Sequence, residues 1–522
     1  MLTNKHLGTV SVVCRFALVI GAIVFSPMVV GHGFGQRYDL PVPLWLYITG
    51  AGTVVFFSFL VLGLFVKKPP GLQGYPRLNL FRWGVGRVLI NPFVVSSVKI
   101  ASVFVFGLVV VAGLLGNQEP IKNLAPTMVW VIWWVGFAYL SSLVGNLWVA
   151  VNPWGAIFEW LDALYARINP GDRLSSNRPY PERLSYWPAV VLFSMFAWVE
   201  LVYPGSSEPR VIAQMAILYS VVSVGGMIIY GKWAWLKYGE VFSVVFGLLA
   251  RFAPTEVAVR NSTFCDLCNL NCDDGQGLCI DCYQCFGRAA MQQKALNLRP
   301  YGAGLFVSHT APQSLLVLVI VILATVTYDG FTAAPLWADI VGVVLPLFQL
   351  FGGQAIAAIK TLGLLIFPLI FLTVFAGVSL IMASLVGRAD NWLVFARAFV
   401  FSLIPISLAY HLAHFFSFLL IQAQLLIPLL SDPLGLGWNL FGSAEYKINI
   451  AIVNAKFAWI TSVIVIAIGH VIAVYVAHLR AMQMFQERLI AIKSQFPMLA
   501  LMIGYTMISL WVIAQPIVEQ VE

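Results

Sequence analysis

The sequence predicts an all-α fold: a polytopic integral membrane helix bundle of about eleven transmembrane spans, with a cysteine-rich cytoplasmic loop. Three observations predict it. The 522 residues are 60% hydrophobic and only 10% charged, whereas soluble domains carry about a quarter charged residues. Apolar stretches of roughly 17–25 residues, enough to cross a bilayer core, recur along the chain. Six of the seven cysteines fall between Cys265 and Cys285, inside one of the few polar loops.

The spans are expected near 11–30, 43–66, 97–116, 126–147, 187–203, 211–231, 313–328, 361–384, 396–428, 457–477 and 496–515. The first has two readings, because Lys5 and Arg15 precede an apolar core and small residues near Gly31. It is an uncleaved helix, or a signal peptide whose removal leaves His32 as a copper-chelating N-terminus. The stretch 339–352 reads as re-entrant or interfacial. The run 396–428 is too long for a perpendicular span and is expected to tilt or to kink at Pro405. Residues 153–168 and 240–252 read as short amphipathic helices on the inner surface. Trp45, Trp130, Trp133, Trp134, Trp233, Trp235 and Trp438 read as belts at the membrane interfaces.

Charge sets the orientation. Loops 67–99, 148–186, 232–306 and 478–495, with 385–395 and the adjacent Arg397, hold 22 of the 30 Lys and Arg, and the alternate loops hold six. This is the positive-inside pattern, and it assigns the net charge of +8 to orientation in a lipid bilayer rather than to nucleic-acid binding. The expected organisation is a bundle over 1–240, a cytoplasmic loop over 241–306 and a second bundle over 307–522, in the inner or plasma membrane. No internal repeat, phosphate-binding loop or nucleophile elbow is visible.

The cysteines read C-x2-C-x3-C and then C-x2-C-x2-C: Cys265, Cys268 and Cys272, followed by Cys279, Cys282 and Cys285. In reducing cytosol such spacing points to metal ligands before disulfides. The first expectation is an iron–sulfur cluster, because the second triplet matches the first three positions of a ferredoxin-type run. The fourth position is Ala289, so another cysteine would have to complete the set. Zinc is the alternative, with two knuckle-like turns flanking Asp273-Asp274-Gly275; copper or a thiol relay are the others.

His411 and His414 share a helix face in the ninth span, and His470 sits near the centre of the tenth. Polar groups at membrane depth are functional candidates by default. These histidines suit haem b or copper, or else they hydrogen-bond within the bundle. Glu200 reads as interfacial and Asp329 as a helix-end residue facing outward.

Three functions follow. The first is a membrane electron-transfer protein linking the cysteine site to the histidines and to quinone or a membrane or cytosolic redox partner. The second is a metal-ion or small-solute transporter with a metal-sensing cysteine loop. The third is a zinc-stabilised scaffold.

Overall fold

The computed structural model describes residues 38–66, 75–260, 268, 278–306 and 310–519. The expected span over 11–30, with its signal-peptide alternative and His32, lies outside them. The described chain is a bundle of helices with six short strands. Among the described residues, nine helical segments are long and apolar enough to cross a membrane, and two apolar helices are shorter.

The helices run in order α1 Leu44–Phe65, α2 Pro92–Leu115, α3 Leu124–Leu143, α4 Pro153–Ile168, α5 Trp187–Leu201 and α6 Pro209–Tyr230. Then come α7 Lys232–Tyr238, α8 Val241–Ala250, α9 Tyr283–Arg288, α10 Gln313–Thr332, α11 Pro335–Val344 and α12 Ala355–Leu385. They are followed by α13 Trp392–Phe399, α14 Leu403–Gln422, α15 Ala455–Met484 and α16 Arg488–Ala514, with a short helix, Leu426–Ser431, between α14 and α15. Local chemistry fixes many starts. Asn91 and Asn152 cap α2 and α4 through their side chains, each followed by proline at the first helical position, where the missing N–H costs nothing.

α10 and the α13–α14 segment are the most enclosed, while α1, α2 and α12 keep broad apolar faces outward, as lipid-facing helices do. α10 packs against α5, α12, α14 and α16, and α14 packs most extensively on α15. The expected long span 396–428 lies within one helical segment, Ala389–Ser431, that changes locally to 3-10 geometry. A tight turn at Val400–Ser402 separates α13 from α14, and Pro405 sits in the first turn of α14, where proline is tolerated. Residues 339–352 form the end of α11 and an exposed 3-10 stretch, Leu345–Gln354.

Two expectations are corrected. Residues 240–252 are not an interfacial helix, because eight of the ten residues of α8 are buried inside the bundle. Its sequence is apolar on every side, which is the pattern of an enclosed helix rather than an amphipathic one. The tryptophan belt is also partial. Trp45 and Trp438 are exposed, but Trp134 and Trp235 are buried, and Trp133 packs edge-on against Phe242 of α8 at 4.2 Å.

Two small sheets tie distant loops together. Strands β2 (Leu78–Asn79), β5 (Lys294–Leu298), β3 (Thr255–Arg260) and β4 (Leu278–Ile280) form an antiparallel sheet in that order. Leu78 pairs with Leu298, so loops 67–99 and 232–306 meet at one end of the bundle. Strands β1 (Tyr38–Asp39) and β6 (Val518–Glu519) pair in parallel, which brings the two outer stretches of the described chain to one end as well.

Candidate metal centre and intramembrane cavity

The sheet is pinned by one buried carboxylate. Glu256 on β3 accepts from Arg77 Nε at 2.6 Å, Arg299 Nη1 at 2.8 Å, Tyr75 Oη at 2.9 Å and Asn297 Nδ2 at 3.0 Å. Burial pushes the Glu256 carboxyl up, but Arg299, Asn297 and Arg77 more than offset it and hold it below its ordinary range. Burial, and the carboxylate beside it, push the Tyr75 phenol up to about 12. Arg299 Nε also donates to the carbonyl of Ala253 at 3.2 Å, so the sheet is fastened to the end of α8.

The cysteines hang from the β4 edge. Cys279 lies on β4, Asp281 takes a positive φ of 53° and turns the chain, Cys282 caps α9, and Cys285 is in its first turn. Cys268 Sγ stands 3.8 Å from Cys282 Sγ. The ligand atoms of Cys268, Cys282 and Cys285 all lie within 4.8 Å of one another, and all three residues are buried. This group could hold a metal ion. Cys279 is buried in the same cluster but is not one of these three. Cys265 and Cys272 lie outside the described residues.

The thiols are packed by Trp233, Ala234 and Tyr238 of α7 and by Phe286 of α9. α7 is the first arm of a hairpin that turns back into the bundle. Gly231, at φ 84°, makes the turn out of α6, a conformation that favours glycine. Trp235 then lies flat on Gly226 of α6, where a Cβ would stand 2.2 Å from the indole. The hairpin tip is Glu240, fully buried beside Tyr219 of α6. Tyr219 is about 18 Å along α6 from Gly231 at 1.5 Å per residue, roughly half the thickness of a bilayer core. The Glu240 carboxylate accepts from the N–H groups of Phe242 (3.1 Å) and Ser243 (2.8 Å), which begin α8. It also accepts from Tyr219 Oη, Ser243 Oγ, Trp148 Nε1 (3.3 Å) and Asn152 Nδ2 (3.2 Å). A carboxyl group at the start of a helix, met by six donors, is a stable tip.

The second arm, α8, walls a cavity of about 40 Å³ between α3, α5, α10 and α14. Its polar lining includes Glu200, Thr325, Asp329, Ser407 and His411. His414 Nε2 and Asp329 Oδ2 are hydrogen-bonded at 2.9 Å. His411 and His414 thus converge on one region, and neither Glu200 nor Asp329 is a mere helix-end residue. His470 is turned elsewhere. Its Nδ1 donates to the Ile466 carbonyl at 2.9 Å, and its ring packs against Tyr505 of α16. The seam between α14 and α15 runs through Ala409 and Gly469, where a Cβ on the glycine would stand 2.2 Å from that of Ala409. His411 and His470 flank this seam at similar height and face different neighbours. Among the described residues, only the three cysteines form a group of three potential metal ligands.

Comparison with known protein families, with characterised proteins and with solved structures finds no match. The residues themselves therefore carry the functional argument.

Proposed function

We propose that this protein moves a small ion or solute across the membrane and that its cysteine module senses a metal ion to control that movement. One observation carries this reading. The thiol cluster packs on α7, and α8, the other arm of the same hairpin, walls the polar cavity. A rearrangement at the thiols has a short path to the cavity wall. Polar, ionisable linings at membrane depth are the usual mark of a permeation route.

On this reading the metal is a single ion, with zinc first. A tetrahedral zinc with Zn–S bonds of about 2.3 Å sets its sulfurs about 3.8 Å apart, the separation found between Cys268 and Cys282. Thiolates that each bind a different iron of a cluster stand wider, so the spacing favours zinc over the iron–sulfur cluster expected from the motif. The fourth ligand is assigned to Cys265 or Cys272.

Residues 38–519 are assigned ten crossings. The pairing of β1 with β6 requires an even number, and the nine long segments reach it when α5 also crosses. With 15 residues α5 covers about 22 Å, which asks for local thinning of the bilayer. The Lys- and Arg-rich loops support a cytoplasmic position for the cysteine module, at the inner or plasma membrane.

The test is flux in proteoliposomes loaded in parallel with a zinc-sensitive and a pH-sensitive dye. A flux that changes at least about twofold on chelation of zinc, and loses that response in Cys282→Ser, is the expected result. No flux with either dye, or one indifferent to metal, refutes the reading.

Electron transfer is the second reading, favoured by His470. With Nδ1 committed to Ile466, a neutral ring presents its Nε2 lone pair without a partner among the described residues, as a haem or copper ligand would. Haem bands that vanish in His470→Ala would support it, and a colourless anaerobic preparation would end it.

A further inference from the structure

Cavities at membrane depth are more often dry and apolar than lined by two acids, so the chamber walled by α8 needs a chemical account. Glu200 from α5 and Asp329 from α10 both line it. Asp329 is hydrogen-bonded to His414. Glu200 has no Lys or Arg beside it among the lining residues, where the one basic side chain is the His411 imidazole. A carboxylate kept ionised in such surroundings needs a compensating positive charge, and otherwise takes up a proton.

Two further observations point to an occupant. His411 is nine-tenths buried and lines the chamber with no partner for Nε2 among the described residues. Thr325 Oγ1, buried on the facing wall, has none either. A ring nitrogen and a hydroxyl left open in a space of about 40 Å³ suit water, for which some 10–15 Å³ per molecule suffices. Among the described residues, no three His, Cys, Asp or Glu ligand atoms here lie within 4.8 Å of one another.

We propose that this chamber is a proton-binding site whose acceptor is Glu200, served by water held between His411 and Thr325. Hydronium delivers a proton to the carboxylate, leaving water and a neutral carboxyl, so atoms and charge balance. The other titratable groups facing the chamber region are Asp329 of α10, His411, His414 and Tyr410 of α14, Tyr139 of α3 and Tyr505 of α16. α8 contributes only apolar side chains to the wall. The inference deepens the transport reading by naming the ion, and its test requires neither flux nor bound metal, so the two can fail separately.

Dicyclohexylcarbodiimide forms a stable adduct with a protonated carboxyl in apolar surroundings. The full-length protein in detergent, treated across about pH 6 to pH 9 and mapped by mass spectrometry, should carry the adduct on Glu200. The yield should fall at least about tenfold at the alkaline end. It should be unchanged by sodium, potassium or calcium at fixed pH, and Glu200→Gln should abolish it while Asp329→Asn retains it. No adduct on Glu200 at any pH overturns the proposal. Suppression by one of those cations at constant pH also overturns it and assigns the chamber to a metal cation.

Discussion

Glu240 is the residue on which the hairpin depends, and its chemistry makes an unusual demand on substitution. Every group facing it is a donor, two of them backbone N–H groups. Glu240→Gln keeps the shape but brings an amide N–H₂ against those donors, so it should destabilise by about 2–4 kcal/mol rather than being neutral. Thermal unfolding in detergent would read this as a clear fall in Tm, and an unchanged Tm would refute the anchoring role. The three thiols behave differently, since each is one ligand of a shared site. Cys268→Ser, Cys282→Ser or Cys285→Ser should each cut bound metal from about one ion per chain to a small fraction, by elemental analysis. Glu256 supplies a pH signature. Its folded carboxyl lies below its ordinary 4.5, so its stabilisation is complete above that value and lost as pH falls through the lower folded value. Hydrogen exchange should show β3–β5 amides losing protection under acid, with Glu256→Gln weaker at neutral pH and less sensitive to acid.

Among the elements, the α7–α8 hairpin rests on two glycines. Gly226→Ala drives a methyl into Trp235 and should lower stability by about 1–3 kcal/mol. Gly231→Ala meets both its positive φ and Asn177 Oδ1, which would stand 2.6 Å from the new Cβ, and should cost about 1–3 kcal/mol. If both leave Tm and metal content intact, the hairpin is not held as described. This element shows what could be read in advance. The run Val241–Ala250 carries no polar face, so its burial was legible; its position after a loop rich in Lys, Trp and Tyr made it look interfacial. The presence of most apolar helices followed from apolar length, while ends such as Arg488 and Met484 lie several residues beyond the expected spans. The relation between His411 and His470 did not, because period and depth place residues along a helix, whereas the Ala409–Gly469 seam decides which way each ring turns. The same holds for Glu200 and Asp329, single acids at the ends of apolar runs, whose common cavity exists only once α5 and α10 are packed. The cysteine trio was legible as a cluster, while the choice of Cys268 over Cys279 depended on the turn at Asp281.

At the scale of the whole molecule, the sheet of β2, β5, β3 and β4 and the β1–β6 pair fix which loops share an end. Single cysteines at Tyr301→Cys and Arg173→Cys should therefore react with a membrane-impermeant maleimide only in inverted vesicles. Lys122→Cys and Tyr446→Cys should react only in intact cells. Any mixture within a pair breaks the ten-crossing arrangement. The packing of α1 carries a consequence in time rather than in space. Its buried stripe, Ala51, Gly52, Val55 and Phe59, meets α15 and α16, with Tyr47 against Trp459 and Phe59 against Phe496. Those partners leave the ribosome about 400 residues later, roughly 20–80 s at 5–20 residues per second. Throughout that interval α1 must wait in the bilayer with its small-residue stripe facing lipid or a chaperone. A nascent chain stalled before residue 455 would hold that stripe without its packing partners.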